Sequence, residues 1–231
     1  MEIMVSVDAD AYIGVRDRII SLVRTADSSV IVPTCPRWRV KDVVGHLAGL
    51  CEDWVSRRLD GYASHAWTAA QVDRFRACTV DEVFERWYSA SERFVLLDDD
   101  PMMGPPARWA FGDGITHEAD IRGALGAGHV PDEAMLVGLR GSISRWREVL
   151  SLAGAPTLLV RAQDARDWWL GRPDDPEVIV VEAPAYEFFR ALTGRRSKDQ
   201  MRRWKWSGDA QPYLASGLPY PFVWARSDIQ D

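Results

Sequence analysis

The chain has 231 residues, 47% of them hydrophobic, enough for one large domain or two modest ones whose core needs neither disulfides nor structural metal. Its net charge is −6 and its pI about 5.3, with Lys and Arg dispersed, which argues against a nucleic-acid partner. No apolar run approaches the roughly 20 residues that span a bilayer, the opening MEIMVSVDAD lacks the basic and apolar regions of a leader, and Cys35, Cys51 and Cys78 show no CxxC spacing. A cytoplasmic protein with reduced thiols and no membrane partner is the expectation.

Residues 10–25 carry Tyr12, Val15, Ile19, Leu22 and Val23 at the spacing of one helical stripe. Pro33 and Pro36 break the chain, and a second helix follows with Val40, Val43, Val44, Leu47, Cys51 and Trp54 inside. Thr79 and Glu82 form a capping-box pattern that opens a third helix, with Val83, Phe84, Trp87, Tyr88, Phe94 and Val95 on its buried side. A fourth helix is predicted over about 109–125, ended by Gly126 and Gly128, and a fifth over about 131–152. His65 and His129 fall in turn-like surroundings and read as exposed.

After Gly154 the period changes. Residues 157–160 and 178–181 read as strands, 186–192 as a short helix and 202–206 as a further strand. The basic run Arg195, Arg196, Lys198, Arg202, Arg203 and Lys205 is interleaved with Trp204 and Trp206, and reads as a solvated sheet edge or an anion site. The fold class is α+β: a helical N-terminal bundle over 1–154 and a small α/β C-terminal domain over 155–231.

The fourth helix holds Asp113, His117 and Asp120, at i, i+4 and i+7 on one face. A carboxylate and an imidazole one turn apart can take adjacent positions around a divalent ion, and a third ligand must come from another helix. His46, at the flank of its stripe, is the candidate. The spacing is not specific, since Asp42 also stands four before His46. An ion pair on the helix surface for Asp113 and His117, and a hydrogen-bonded core ring for His46, remain the alternatives. Glu118, turned about 100° from His117, reads as a solvent residue or a second-line base. Gly112 and Gly114 inside a helix imply either a late helix start, placing Asp113 in the first turn, or a close contact. The late start is the preferred reading.

The segment VPTCPRWRVKDVVGHLAG resembles the N-terminal signature of the mycothiol-dependent maleylpyruvate isomerase family, and DGITHEADIRGALG resembles its second signature. APAYEFFRALTGRRS and KWSGDA look like the small C-terminal domain of many members. The resemblance implies a DinB-like four-helix bundle with His46, Asp113 and His117 as metal ligands and zinc as the usual ion. Asp113 stands where the best-known members have Glu. It further implies that Asp120 orients an imidazole or caps the pocket, and that Arg195 meets an anionic substrate or thiol cofactor. The activity implied is isomerase or S-transferase on a small electrophilic metabolite, with mycothiol as cofactor or co-substrate, in a monomer or homodimer.

Tryptophan-rich walls suggest an apolar or aromatic electrophile. The chain's own cysteines, each in an apolar or turn context without a basic neighbour constellation, suit the nucleophile's role poorly, so the thiol is external. A metal-dependent hydrolase or lyase without thiol, and a non-catalytic small-molecule binder, are the rival readings.

Overall fold

The computed structural model describes residues 9–231, apart from the side chains of Pro105, Pro106 and Arg108. Residues 1–8, most of the stretch read as lacking a leader, lie outside it. By contacts the chain forms two compact units, one running to Ala134 and including Asp231, the other Met135–Gln230. The boundary expected near 154 coincides instead with the end of a helix that belongs with the second unit.

In the first unit, α1 (Ala9–Val23), α2 (Val40–Val55), α4 (Val80–Val95) and α5 (Gly104–Leu125) form a four-helix bundle, and α3 (His65–Arg74) packs on α2. The Thr79–Glu82 box opens α4: the Glu82 amide donates to Thr79 Oγ1 at 3.3 Å and the Thr79 amide to Glu82 Oε2 at 2.6 Å. Helix α2 does similar work at its start, where the Arg39 amide donates to Asp42 Oδ2 at 2.8 Å. Because α3, α4 and α5 all pack on α2, every residue from Val43 to Cys51 is buried, His46 included.

Two expectations are corrected here. Helix α5 starts at Gly104, so Asp113 lies well inside it rather than in its first turn. The reason for glycine is the close contact: a Cβ on Gly114 would stand 3.2 Å from both Tyr12 Cε2 and Val15 Cγ1 of α1. The second correction is α3, absent from the sequence reading. Only Gln71 and Val72 are buried along it, too few to write an amphipathic stripe. Its Ser64 cap accepts from the Trp67 amide at 3.2 Å. His65 and His129 are exposed.

In the second unit, α6 (Asp132–Leu152) buries Met135, Leu139, Ile143, Trp146 and Leu150. The sheet holds β1 (Thr157–Ala162), β2 (Asp167–Leu170), β3 (Val178–Ala183) and β4 (Lys205–Trp206) in the order β2-β1-β3-β4. Strands β1 and β3 run parallel with Val160 opposite Val181; β2 on β1 and β4 on β3 are antiparallel. Helix α7 (Ala185–Leu192) buries Tyr186, Phe188, Phe189 and Leu192. The strand expected over 202–206 is shorter, because Arg202 ends helix α8 (Lys198–Arg202). Neither α8, β2 nor α9 (Gln211–Ala215) was expected, each being too short for its period to show.

Candidate metal centre

Helix α2 contributes His46 and α5 contributes Asp113, His117 and Asp120. His46 and His117 are 4% and 5% exposed, and their rings meet edge to face with centroids 5.0 Å apart. Asp113 Oδ2 lies 3.0 Å from His46 Nε2 and 3.7 Å from His117 Nε2. One ligand atom from each of the three residues falls within 4.8 Å of the others. Donors on a single tetrahedral zinc stand about 3.3 Å apart, given metal–ligand bonds of about 2.0–2.1 Å. The group therefore fits one small divalent ion, and two imidazoles with one carboxylate suit zinc chemistry.

The far side of each ring is held. His117 Nδ1 is 2.9 Å from Asp120 Oδ2, and His46 Nδ1 is 2.7 Å from Gln71 Oε1. Asp120 and Gln71 are both buried, at 1% and 0% exposure. A ring that donates from Nδ1 to its acceptor leaves Nε2, the nitrogen facing Asp113, to bind a cation. Histidines that bind metals are oriented in this way. The Asp113 side chain is 25% exposed, which gives the cluster a solvent-facing side.

A tight loop closes over the rings. Backbone bonds from Val32 to the Trp38 carbonyl (2.9 Å) and from Trp38 to the Cys35 carbonyl (2.7 Å) fold residues 32–38. Trp38 then stacks obliquely against both histidines, 5.3 Å from His46 and 6.3 Å from His117 between centroids. Cys35 is brought with it: its thiol forms a second possible ligand group with His117 and Asp120. That corrects the expectation of a cysteine without basic neighbours, since a loop contact across about 80 residues is invisible in local sequence. Cys51 is different. Burial pushes its thiol up to about 12, and it shares a 2.9 Å hydrogen bond with the Tyr12 hydroxyl.

Glu118 is not a solvent residue. It is fully buried and accepts from Arg18 at 2.8 and 2.6 Å and from Arg122 at 2.9 Å. Arg195 lies in the second unit, 9% exposed, donating to the Thr193 carbonyl and placed 5.8 Å from the Phe222 ring centroid. Arg196 is buried against Glu187, while Arg202, Arg203 and Lys205 pair with Asp199, Asp228 and Glu182. Gln71, Trp38 and Cys35 were missed as site residues. Only Trp38 and Cys35 left a signal, their nearness to His46 in the same motif.

Fold and donor set together define a four-helix bundle with an interior group of two histidines and a carboxylate. Residues 15–121 match the family model described as the mycothiol maleylpyruvate isomerase N-terminal domain, the family that the two motifs in this stretch resemble. The crystal structure of the mycothiol-dependent maleylpyruvate isomerase is similar over 94% of this chain and 95% of that one, with TM-score 0.55 and 13% identity. A structure of a histidine-to-alanine mutant of that isomerase gives 0.54 and 12% over the same shares. At such identities the likeness is one of fold. No curated protein matches the sequence significantly.

Proposed function

We propose that the protein is a metal-dependent enzyme that uses a low-molecular-weight thiol, mycothiol by its family, in isomerisation of or S-transfer to a small electrophilic metabolite. His46, Asp113 and His117 would hold the cation, zinc by preference. The observation that carries this reading is the convergence of two Nε2 atoms and one carboxylate whose supporting side chains are themselves buried and bonded. When bound, the cation supplies Lewis acidity that favours a thiolate at neutral pH, and the thiol supplies a nucleophile that adds to and leaves an activated double bond.

The chain's own residues do the rest. Gln71 and Asp120 keep both rings from turning away. Asp113 supplies negative charge on the side where solvent and substrate enter. Trp38 walls the rings with an apolar face that suits an aromatic or unsaturated substrate. Cys51, with its thiol raised to about 12, is no rival nucleophile, which supports an external thiol. Arg195 is proposed, on its GRR motif, to meet the anionic part of substrate or thiol; Arg195→Ala then raises KM with kcat little changed. None of the three cysteines is in a disulfide, which supports a cytoplasmic setting. Among the described residues no helix is long and apolar enough to cross a membrane. The proposed assembly is a monomer or homodimer.

The test is elemental analysis of wild type beside His117→Ala, with turnover measured with and without mycothiol. The wild type is expected to carry about one zinc per chain, as three-ligand catalytic sites do, and the variant none. A variant that keeps its metal removes the ligand assignment. Turnover independent of thiol favours metal-assisted hydrolysis or elimination instead.

A further inference from the structure

His46 and His117 are held by different partners, and the difference has a source two residues back from the ring. Asp120 is a carboxylate and can only accept, so the His117 ring donates to it from Nδ1. Gln71 is an amide, which could offer either its oxygen or its nitrogen to His46. Its orientation decides whether His46 Nδ1 donates or accepts, while Asp113 Oδ2 stands 3.0 Å from Nε2. That orientation is imposed by Asp53.

Asp53 is 2% exposed. Its Oδ1 accepts from Arg58 Nε at 3.0 Å and from Arg74 at 2.6 Å, and its Oδ2 accepts from Gln71 Nε2 at 2.9 Å. A carboxylate receiving two guanidinium donors has only acceptor capacity left for Gln71. The amide nitrogen must therefore face Asp53, and the amide oxygen must face His46 Nδ1, 2.7 Å away. The reverse orientation would set the amide oxygen against the Asp53 carboxylate, with Asp53, Gln71 and His46 all buried. Gly49 makes room for this arrangement, since a Cβ there would stand 2.7 Å from Gln71 Cβ.

We infer that Asp53 and Gln71 are positioning residues which, through the chain Arg74–Asp53–Gln71–His46, keep a proton on His46 Nδ1 and leave its Nε2 for the candidate cation site. The inference rests on the proposed role of that site only where it concerns metal affinity; the donor role of Nδ1 toward Gln71 stands apart from it. The decisive variant is Asp53→Asn. Its new amide keeps an oxygen for the two arginines and gives an N–H to Gln71. Gln71 then turns its oxygen toward that N–H and its own amide nitrogen toward His46, moving the ring proton to Nε2. Adding Gln71→Glu restores an acceptor facing His46 Nδ1, and the Asp53→Asn amide now donates to the new carboxylate.

Two readouts are taken on wild type, Asp53→Asn and the double variant: the His46 tautomer from 15N NMR, and zinc affinity from chelator competition. Asp53→Asn is expected to lose about 10- to 100-fold in zinc affinity, the range for removal of a supporting partner of a metal-bound histidine, and to shift the tautomer to Nε2–H. The double variant is expected to recover Nδ1–H and most of the affinity, which a merely structural role for Asp53 would not produce. Wild-type affinity and Nδ1–H in Asp53→Asn, or a double variant no better than the single, would overturn the relay. Should Asp53→Asn not fold, Gln71→Met, close in volume and without an acceptor, is expected to show mixed tautomers and the same loss; an unchanged Nδ1–H there overturns it equally. A wild type that binds no zinc removes the metal reading, and the relay is then judged on the tautomer alone.

Discussion

Arg196 and His46 are almost wholly buried polar side chains, one in each unit, and they are satisfied in opposite ways. Arg196 gives its guanidinium to both oxygens of Glu187, at 2.8 and 2.9 Å, and to the Arg195 carbonyl at 2.9 Å. Every one of those bonds runs from donor to acceptor and returns the chain after α7 onto that helix. Around His46 the bonds run inward. Asp53 orients Gln71, Gln71 orients the ring, and the ring sets Nε2 3.0 Å from Asp113 Oδ2 and lies edge to face with the His117 ring. Acceptors are gathered there, and the proposed cation is what such a gathering attracts. The first arrangement closes a fold. The second prepares a place for something else.

The helical unit contains both kinds, which allows the comparison to be broken within one domain. Glu118 sits next to His117 in sequence yet belongs to the closing kind, paired with Arg18 and Arg122. Glu118→Ala leaves two guanidiniums without their carboxylate and is expected to lower stability by about 3 kcal/mol or more, seen in urea unfolding, with zinc content unchanged. Loss of zinc in that variant would erase the distinction between the two networks.

Next in size, zinc at a hundredfold excess over its Kd is expected to stabilise the wild type by about 2.7 kcal/mol through mass action. His46→Ala is expected to stay folded and to show no such increment. Thermal melts with zinc and with chelator check this; an equal increment in His46→Ala would contradict the ligand assignment.

Gly49→Ala sharpens the contrast further, because it pushes on Gln71 without touching a proposed ligand. Overpacking of this kind costs about 1–3 kcal/mol. Here it should also weaken zinc binding, whereas Gly114→Ala, pressing on Tyr12 and Val15, should cost stability alone.

The smallest effect is one of pH. The backbone hydrogen bond from Thr79 holds Glu82 below the usual carboxylate range. A depressed carboxylate contributes stability that is full above its unfolded pKa and disappears as pH falls through the folded one. Glu82→Gln is therefore expected to flatten slightly the acid decline of Tm while leaving the neutral-pH metal affinity alone. An acid limb as steep as the wild type's would remove this box from the balance.

Much of the bundle was legible from stripes of apolar residues, since α1, α4 and α6 each bury one face at helical spacing and the stripe of α2 is buried together with the whole of that helix's middle. Helix α3 was not, for it turns only Gln71 and Val72 fully inward. With it went Gln71, a residue whose type carries no metal signal at all. Cys35 was misjudged for a related reason: its sequence neighbours are prolines and a threonine, and its chemical neighbours are on α5.

What the sequence determined by itself is the phase of residues along each helix. Asp113, His117 and Asp120 share a face because 100° per residue is a local property of the backbone. Only the tertiary structure decided that His46, 67 residues before Asp113, meets that face, and that Gln71, 25 residues after His46, stands behind the ring. Those meetings depend on how closely helices approach, which glycines at 45, 49 and 114 permit and side-chain volumes regulate. Packing distance of that kind is a property of pairs of surfaces, and no single segment contains it.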